Sequence, residues 1–174
     1  PGLAMRCVVI DLSPTMLALA PRPAVRADGA RLPVADASAD AVAALYTLYH
    51  FADPTAPLGE ARRVLRSAGL LAASAPARSS TPELAHVLPS WGARSTFDAE
   101  DAPAIVASVF SAPGDRVEAD RWDGPLRTLS TVDEAVDFLR CHGMSEAAAR
   151  DAAARLDLPM NLTMRGCVVY ATKG

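Results

Sequence analysis

Apolar residues fall in short runs separated by polar, proline-bearing punctuation, and the runs predict strands and helices in alternation. Residues 7–10, CVVI, are a β-branched apolar run of the kind that fills a strand buried on both faces. The run stops at Asp11, and Ser13-Pro14 then opens a helix, with Ser13 as N-cap and Pro14 at the first helical position. Pro21 and Pro23 end that helix, and residues 24–27 form a brief strand leading to the turn signal Asp28-Gly29. A polar loop follows, and AVAALYTL at 41–48 reads as a second buried strand ending near Leu45-Tyr46. Asp53-Pro54 repeats the acid-plus-proline helix start, and the helix runs to Arg66. Its apolar stripe is Leu58, Ala61, Val64 and Leu65. Arg62, Arg63 and Arg66 gather at its carboxyl end, where cations suit the macrodipole, and read as a solvated face, not a phosphate site. Residues 70–74 are the next strand. Strand and helix alternating in this way predict a parallel α/β sheet with right-handed crossovers.

Beyond Ser74 the grammar changes. Thr81-Pro82-Glu83 starts a short helix reaching about Val87, and the segment 89–92, with Trp91, breaks it. Residues 98–110 read as helix and 116–122, ending at Trp122, as strand; the two tryptophans belong to the core or to the rim of a pocket. Ser130 and Thr131 with Asp133 and Glu134 give a capping-box-like start to a helix ending at Cys141. Ser145 opens an alanine-rich helix to about Leu156, and residues 163–172 close the chain as a strand. The expectation is one domain over 1–174, with 1–75 as its ligand-binding half and 76–174 supplying substrate-side helices and a carboxyl-terminal hairpin.

Composition narrows the function classes. Half the residues are hydrophobic (51%) and the net charge is −3, so no basic surplus draws nucleic acid or an anionic membrane. The longest near-apolar run, 41–52, is too short to cross a bilayer, and no long apolar stretch opens the chain; the expectation is a cytoplasmic protein. Cys7, Cys141 and Cys167 are far apart and read as reduced core thiols, neither a disulfide frame nor a zinc site. His50, His86 and His142 show no ligand spacing, so no metal is expected.

Asp11 is the first candidate for chemistry. It leaves a carboxylate at the carboxyl end of a buried parallel strand, the sheet edge where nucleotide-like ligands bind and where an acid commonly holds a ribose. The competing reading is that it only satisfies the amides of its own turn.

Three phrases taken together decide the wider reading: VVIDLSPTML at 8–17, ADGARLPVADASADAVAALYTLYHF at 27–51 and LGEARRVLRSAGLLAAS at 58–74. In order and spacing they resemble the central part of class I S-adenosylmethionine-dependent methyltransferases of the small-molecule type. RGCVVYATK at 165–173 resembles that fold's last, antiparallel strand. The resemblance implies a Rossmann-like, mostly parallel sheet with helices on both faces. It implies S-adenosylmethionine as cofactor and methyl transfer to a small-molecule nucleophile. By the same resemblance Asp11 accepts hydrogen bonds from the ribose hydroxyls and Leu12 packs on adenine. Asp28 accepts the adenine amino group beside the Gly29 amide, and Leu45 and Tyr46 line the cofactor. The bland alternatives are an Asx-turn for Asp28 and core packing for Leu45 and Tyr46. His50, just past the strand end, is the candidate general base, against the alternative of a loop or packing residue.

The chain departs from the family pattern at its start. The first strand and its glycine-rich G-x-G-x-G turn are missing, since only 1–5 precede Arg6 and resemble the end of the first helix. The loss should weaken binding at the methionine end of the cofactor. It also leaves two apolar strands with unpaired edges, which must either pair directly or be covered by further residues, a second copy or a partner chain. Two other functions compete with the enzyme. One is a non-catalytic remnant or partner-binding module. The other is a nicotinamide-dependent oxidoreductase, which the missing G-x-G-x-x-G and the second and third phrases argue against.

Overall fold

The computed structural model describes residues 6–88 and 95–174. The expectations for 1–5 and for the break at 89–92, including a pocket-side role for Trp91, lie outside the described residues.

The opening strand β1 (Val9–Asp11) leads through Ser13 into helix α1 (Pro14–Leu19). As the sequence predicts, the Ser13 hydroxyl accepts from the Met16 amide at 3.3 Å, and proline stands at the first helical position. Strand β2 (Ala24–Arg26) returns parallel to β1, with Val9 opposite Ala24 and Asp11 opposite Arg26. This unit buries one side chain well, Leu17 of α1.

The rest of the chain builds a second, larger sheet. Strand β3 (Ala39–Leu45) pairs parallel with β4 (Leu65–Pro76), joined by helix α2 (Thr55–Val64). Helix α3 (Ala102–Val109) then precedes β5 (Arg116–Leu129), and helices α4 (Val132–Cys141) and α5 (Glu146–Ala153) precede β6 (Met160–Thr172). The order is β3-β4-β6-β5. Strands β3, β4 and β5 run one way, and β6 runs against both of its neighbours. The architecture is therefore α/β with a mixed sheet and a reversed carboxyl-terminal strand, as expected. α2 starts later than the Asp53-Pro54 signal suggests, because the Asp53 carboxylate spends itself on Thr55, accepting from its amide at 2.9 Å and its hydroxyl at 2.6 Å. β4 and β5 are longer than predicted: β5 follows β6 along its whole length, from Arg116 opposite Thr172 to Leu129 opposite Met160.

One face of the larger sheet is sealed. Leu71, Ala73 and Ala75 of β4 and Cys167, Val169 and Ala171 of β6 meet Leu58 and Ala61 of α2 and Ala102 and Val106 of α3. Alternate residues point the other way, and on that face Leu45, Leu70 and Tyr170 remain exposed at 58%, 39% and 36%. A separate small core joins α4 and α5 to Leu84, Leu129 and Leu162.

β1 and β3 do not pair with each other. β1 pairs only with β2, and β3 pairs only with β4, so among the described residues β1 and β3 each keep one edge without a ladder partner. The cysteines also differ from expectation. Cys167 is buried, but Cys7 and Cys141 are exposed, because one precedes the first strand and the other sits on the outer side of α4. None forms a disulfide, and no metal-binding cluster exists among the described residues.

Candidate functional site

The parallel pairing of β1 with β2 puts Asp11 and Asp28 at the same end of the small sheet. Asp11 is the last residue of β1, and its carbonyl accepts from the Ala27 amide at 3.2 Å. Asp28 follows one residue later, in the turn whose carbonyl holds the Arg31 amide at 2.9 Å. Each carboxylate uses one oxygen locally. Asp11 Oδ1 accepts from the Ser13 amide at 2.8 Å, and Asp28 Oδ1 from the Ala30 amide at 2.9 Å. The turn-satisfying reading of both acids is thus physically realised, yet each keeps its second oxygen without a partner among the described residues. Leu12, the residue after Asp11, is 55% exposed and offers an apolar surface next to that carboxylate.

This acidic corner is tied to the larger sheet by a clamp from α2. Glu60 accepts the Leu32 amide at 2.8 Å, and Arg63 donates to the Leu32 carbonyl at 3.0 Å and the Val34 carbonyl at 2.8 Å. Glu60 and Arg63 also bond each other at 2.7 Å. The hydrogen bond from Arg63 holds the Glu60 carboxyl down at about 2, burial opposing and the Leu32 amide assisting. Arg63 is therefore more than a solvated helix face: it fastens the loop after β2. Arg62 is likewise engaged, with Asp115 at 3.1 Å, while Arg66 pairs with Asp40 at the surface. Gly29 belongs to the same junction. A Cβ there would lie 3.0 Å from the Phe51 ring, so the turn after β2 seats directly against the segment after β3. The carboxyl ends of β1, β2 and β3 consequently share one rim.

At the β3 end of that rim the backbone is strained. Tyr46 follows the exposed Leu45 and takes a left-handed conformation, φ 53°, while its amide donates to the Ser74 hydroxyl at 3.1 Å and carbonyl at 3.2 Å. Thr81 is also left-handed, φ 50°. Such geometry costs on the order of 1–3 kcal/mol per residue and gathers at functional sites. Both residues line one cavity of about 120 Å³, together with Tyr49, Pro76, Leu126, His142 and Met164, and with Ser80 beside Thr81. Burial raises the Tyr46 phenol above its ordinary value, with Tyr49 and Cys167 adding to the shift; burial alone raises Tyr49. Both phenols therefore stay protonated and neutral through physiological pH.

His50 is exposed in the short turn after β3, its ring 4.5 Å from that of Tyr49, and it is not among the cavity's walls. The imidazole in the cavity belongs to His142, at the end of α4. Its Nδ1 lies 2.7 Å from the Phe138 carbonyl and its ring stacks on Phe138 at 4.3 Å. No sequence signal marked it, since its place depends on where α4 docks. Trp122 sits on β5 and fills the space left by Gly166 across the ladder, away from the cavity.

Comparison with known proteins gives a consistent picture. A methyltransferase-domain family model matches residues 2–73. The chain is similar in structure to the YcgJ protein of Bacillus subtilis, with 13% identity, a TM-score of 0.66, and coverage of 96% of this chain and 82% of that one. It is similar to a SAM-dependent methyltransferase of Thermotoga maritima, with 17% identity, a TM-score of 0.57, and coverage of 95% and 72%. The same fold is shared with the [4+2]-cyclase SpnF, at 17% identity, a TM-score of 0.57, and coverage of 95% and 66%. No curated protein matches the sequence.

Proposed function

We propose that the chain is a class I S-adenosylmethionine-dependent methyltransferase domain whose rim binds the adenosyl group for methyl transfer to a small-molecule nucleophile; the methyltransferase-domain family model that matches residues 2–73 supports the reading. The observation that carries this is the pair of carboxylates on neighbouring parallel strand ends, each with one oxygen still to be used. Asp11 would take the ribose hydroxyls, Leu12 one face of the adenine, and Asp28 with the Gly29 amide its polar edge. Leu45 and Tyr46 would border the reacting end. The residues present suit an adenosine: two acceptors, an exposed apolar side chain and a close turn. When bound, S-adenosylmethionine supplies a methyl group on a cationic sulfur that needs no further activation, so the protein's task is alignment and exclusion of water.

The edges of β1 and β3 that are open among the described residues suit a further polypeptide strand, from additional residues of the same protein, a second copy or a partner chain. Calorimetric titration tests the reading. S-adenosylhomocysteine and S-adenosylmethionine should bind saturably to the folded chain and NAD should not. Binding of neither adenosyl ligand would favour a non-catalytic, partner-binding module, and binding of NAD an oxidoreductase.

A further inference from the structure

We propose that Glu60 and Arg63 of α2 are positioning residues: they fix the turn carrying Asp28 against the larger sheet and thereby set the affinity for the adenosine half of the ligand. The fixing of the turn stands on the bonds themselves; its effect on the ligand rests on the adenosyl reading above.

The small sheet needs such a joint. β1 and β2 share no ladder with β3-β4-β6-β5 among the described residues. The proposed site nevertheless takes Asp11 and Asp28 from the small unit and Leu45 and Tyr46 from the large one. A ligand that bridges two bodies binds only while they keep one spacing, and its apparent affinity falls with the fraction that does.

Arg63 is placed to keep that spacing. All five of its guanidinium N–H groups are used. Two go to Glu60 on the same helix, Nε at 2.7 Å and Nη2 at 2.8 Å. Three leave the helix, to the Leu32 carbonyl at 3.0 Å, the Val34 carbonyl at 2.8 Å and the Asp36 carboxylate at 2.5 Å. Glu60 adds the Leu32 amide at 2.8 Å, so both backbone polar groups of Leu32 are held, and Pro33 beside it has no N–H to satisfy. The carbonyls of Arg63 and Val64 then take the amides of Ala37 at 3.0 Å and Ser38 at 2.8 Å. Upstream, Asp28 closes its own turn through the Ala30 and Arg31 amides, both at 2.9 Å, and that turn runs straight into Leu32. Holding Leu32 therefore holds Asp28. An ion pair at i and i+3 can also serve only its own helix. The three bonds that leave α2 are what that reading does not account for.

The test uses adenosine and S-adenosylhomocysteine as calorimetric probes on the full chain, with amide hydrogen exchange measured on the free protein. Arg63→Lys keeps the charge and loses the planar fork. The Ala30 and Leu32 amides should then exchange about tenfold faster while those of β4 keep their rates, and adenosine and S-adenosylhomocysteine should both bind about tenfold more weakly. Glu60→Arg combined with Arg63→Glu restores the ion pair on the helix but puts a donor opposite the Leu32 amide and an acceptor opposite the carbonyls, so it should not rescue binding. Arg62→Ala breaks the other ion pair of α2, the one with Asp115, and should leave adenosine affinity within about twofold. Wild-type exchange at Ala30 and Leu32 in Arg63→Lys, a loss confined to S-adenosylhomocysteine, rescue by the exchanged pair, or an equal loss in Arg62→Ala overturns the assignment. Should the exchanged pair fail to fold, Arg63→Lys and Arg62→Ala decide. If the wild type binds neither probe while Arg63→Lys still frees Ala30 and Leu32, the adenosyl reading falls and the joint stands.

Discussion

Asp11 has one carboxylate oxygen committed to its own turn and one to offer, and this division decides how its substitution should behave. Asp11→Ala removes both functions and should weaken adenosyl-ligand binding by ~1–3 kcal/mol, the range for hydrogen bonds to a charged group. Asp11→Asn keeps an acceptor for the Ser13 amide, so a comparable loss of affinity by calorimetry would assign the effect to the ligand and not to the turn. Unchanged affinity in both variants would remove Asp11 from the site. Gly166 shows a residue whose role only the fold reveals. A Cβ there would lie 2.5 Å from the Trp122 ring and 2.7 Å from the Ala75 carbonyl. Gly166→Ala should therefore destabilise the chain by ~1–3 kcal/mol, as overpacking does, read as a lower urea midpoint with an unchanged slope. The difference in legibility has a physical cause. Asp11 and Ser13 act on residues two and three positions away, so the sequence displays the whole interaction. Gly166 meets partners brought up by other strands, and His142, though its ring rests on Phe138 of its own helix, reaches the cavity only through the docking of α4, so nothing local announces either role.

At the scale of elements, starts were legible and lengths were not. Ser13, Thr131 and Ser145 each cap the helix the sequence assigns to them, because a cap is a bond to the next turn. Strand lengths depend on the neighbouring strand, so β4 and β5 outran their apolar cores by pairing with β6. The joint between the two sheets is likewise tertiary. Glu60 and Arg63 bind the loop after β2 and so hold Asp28 to the rim. Its pH dependence follows from the depressed Glu60 carboxyl. Folded, Glu60 titrates near 2 rather than at its ordinary 4.5, so its contribution is complete above the ordinary value and is lost as pH falls toward 2. Thermal unfolding of the wild type should accordingly show a melting temperature that declines over this acid window. Glu60→Gln, which lacks the charge, should melt lower at neutral pH and decline less on acidification. Parallel acid limbs for the two proteins would show that the clamp is energetically idle.

At the scale of the molecule, stability is unevenly shared, and the gap between the sheets is the reason. The β3-β4-β6-β5 sheet has a sealed face in which Leu58, Leu71, Val106, Phe97 and Val169 are almost wholly buried. The β1-α1-β2 unit has two strands of three residues and buries Leu17. A two-stranded sheet that small is marginal in water on its own, and local opening follows the density of buried contacts. Hydrogen exchange should resolve the two regions. Amides of 9–11 and 24–26 should exchange well before those of β4 and β6, whose ladder runs from Leu70–Thr172 to Pro76–Gly166. The functional reading adds a second expectation, because both proposed adenosine-holding acids lie on the weak unit. S-adenosylhomocysteine should slow exchange in β1 and β2 while leaving β4 and β6 unaltered, since a ligand stabilises what it binds. A polypeptide strand seated between β1 and β3 should slow exchange in both flanking strands, with or without ligand. Protection of β1 and β2 equal to that of β4 in the free chain would mean that the small unit is already supported. The open edge would then need no partner.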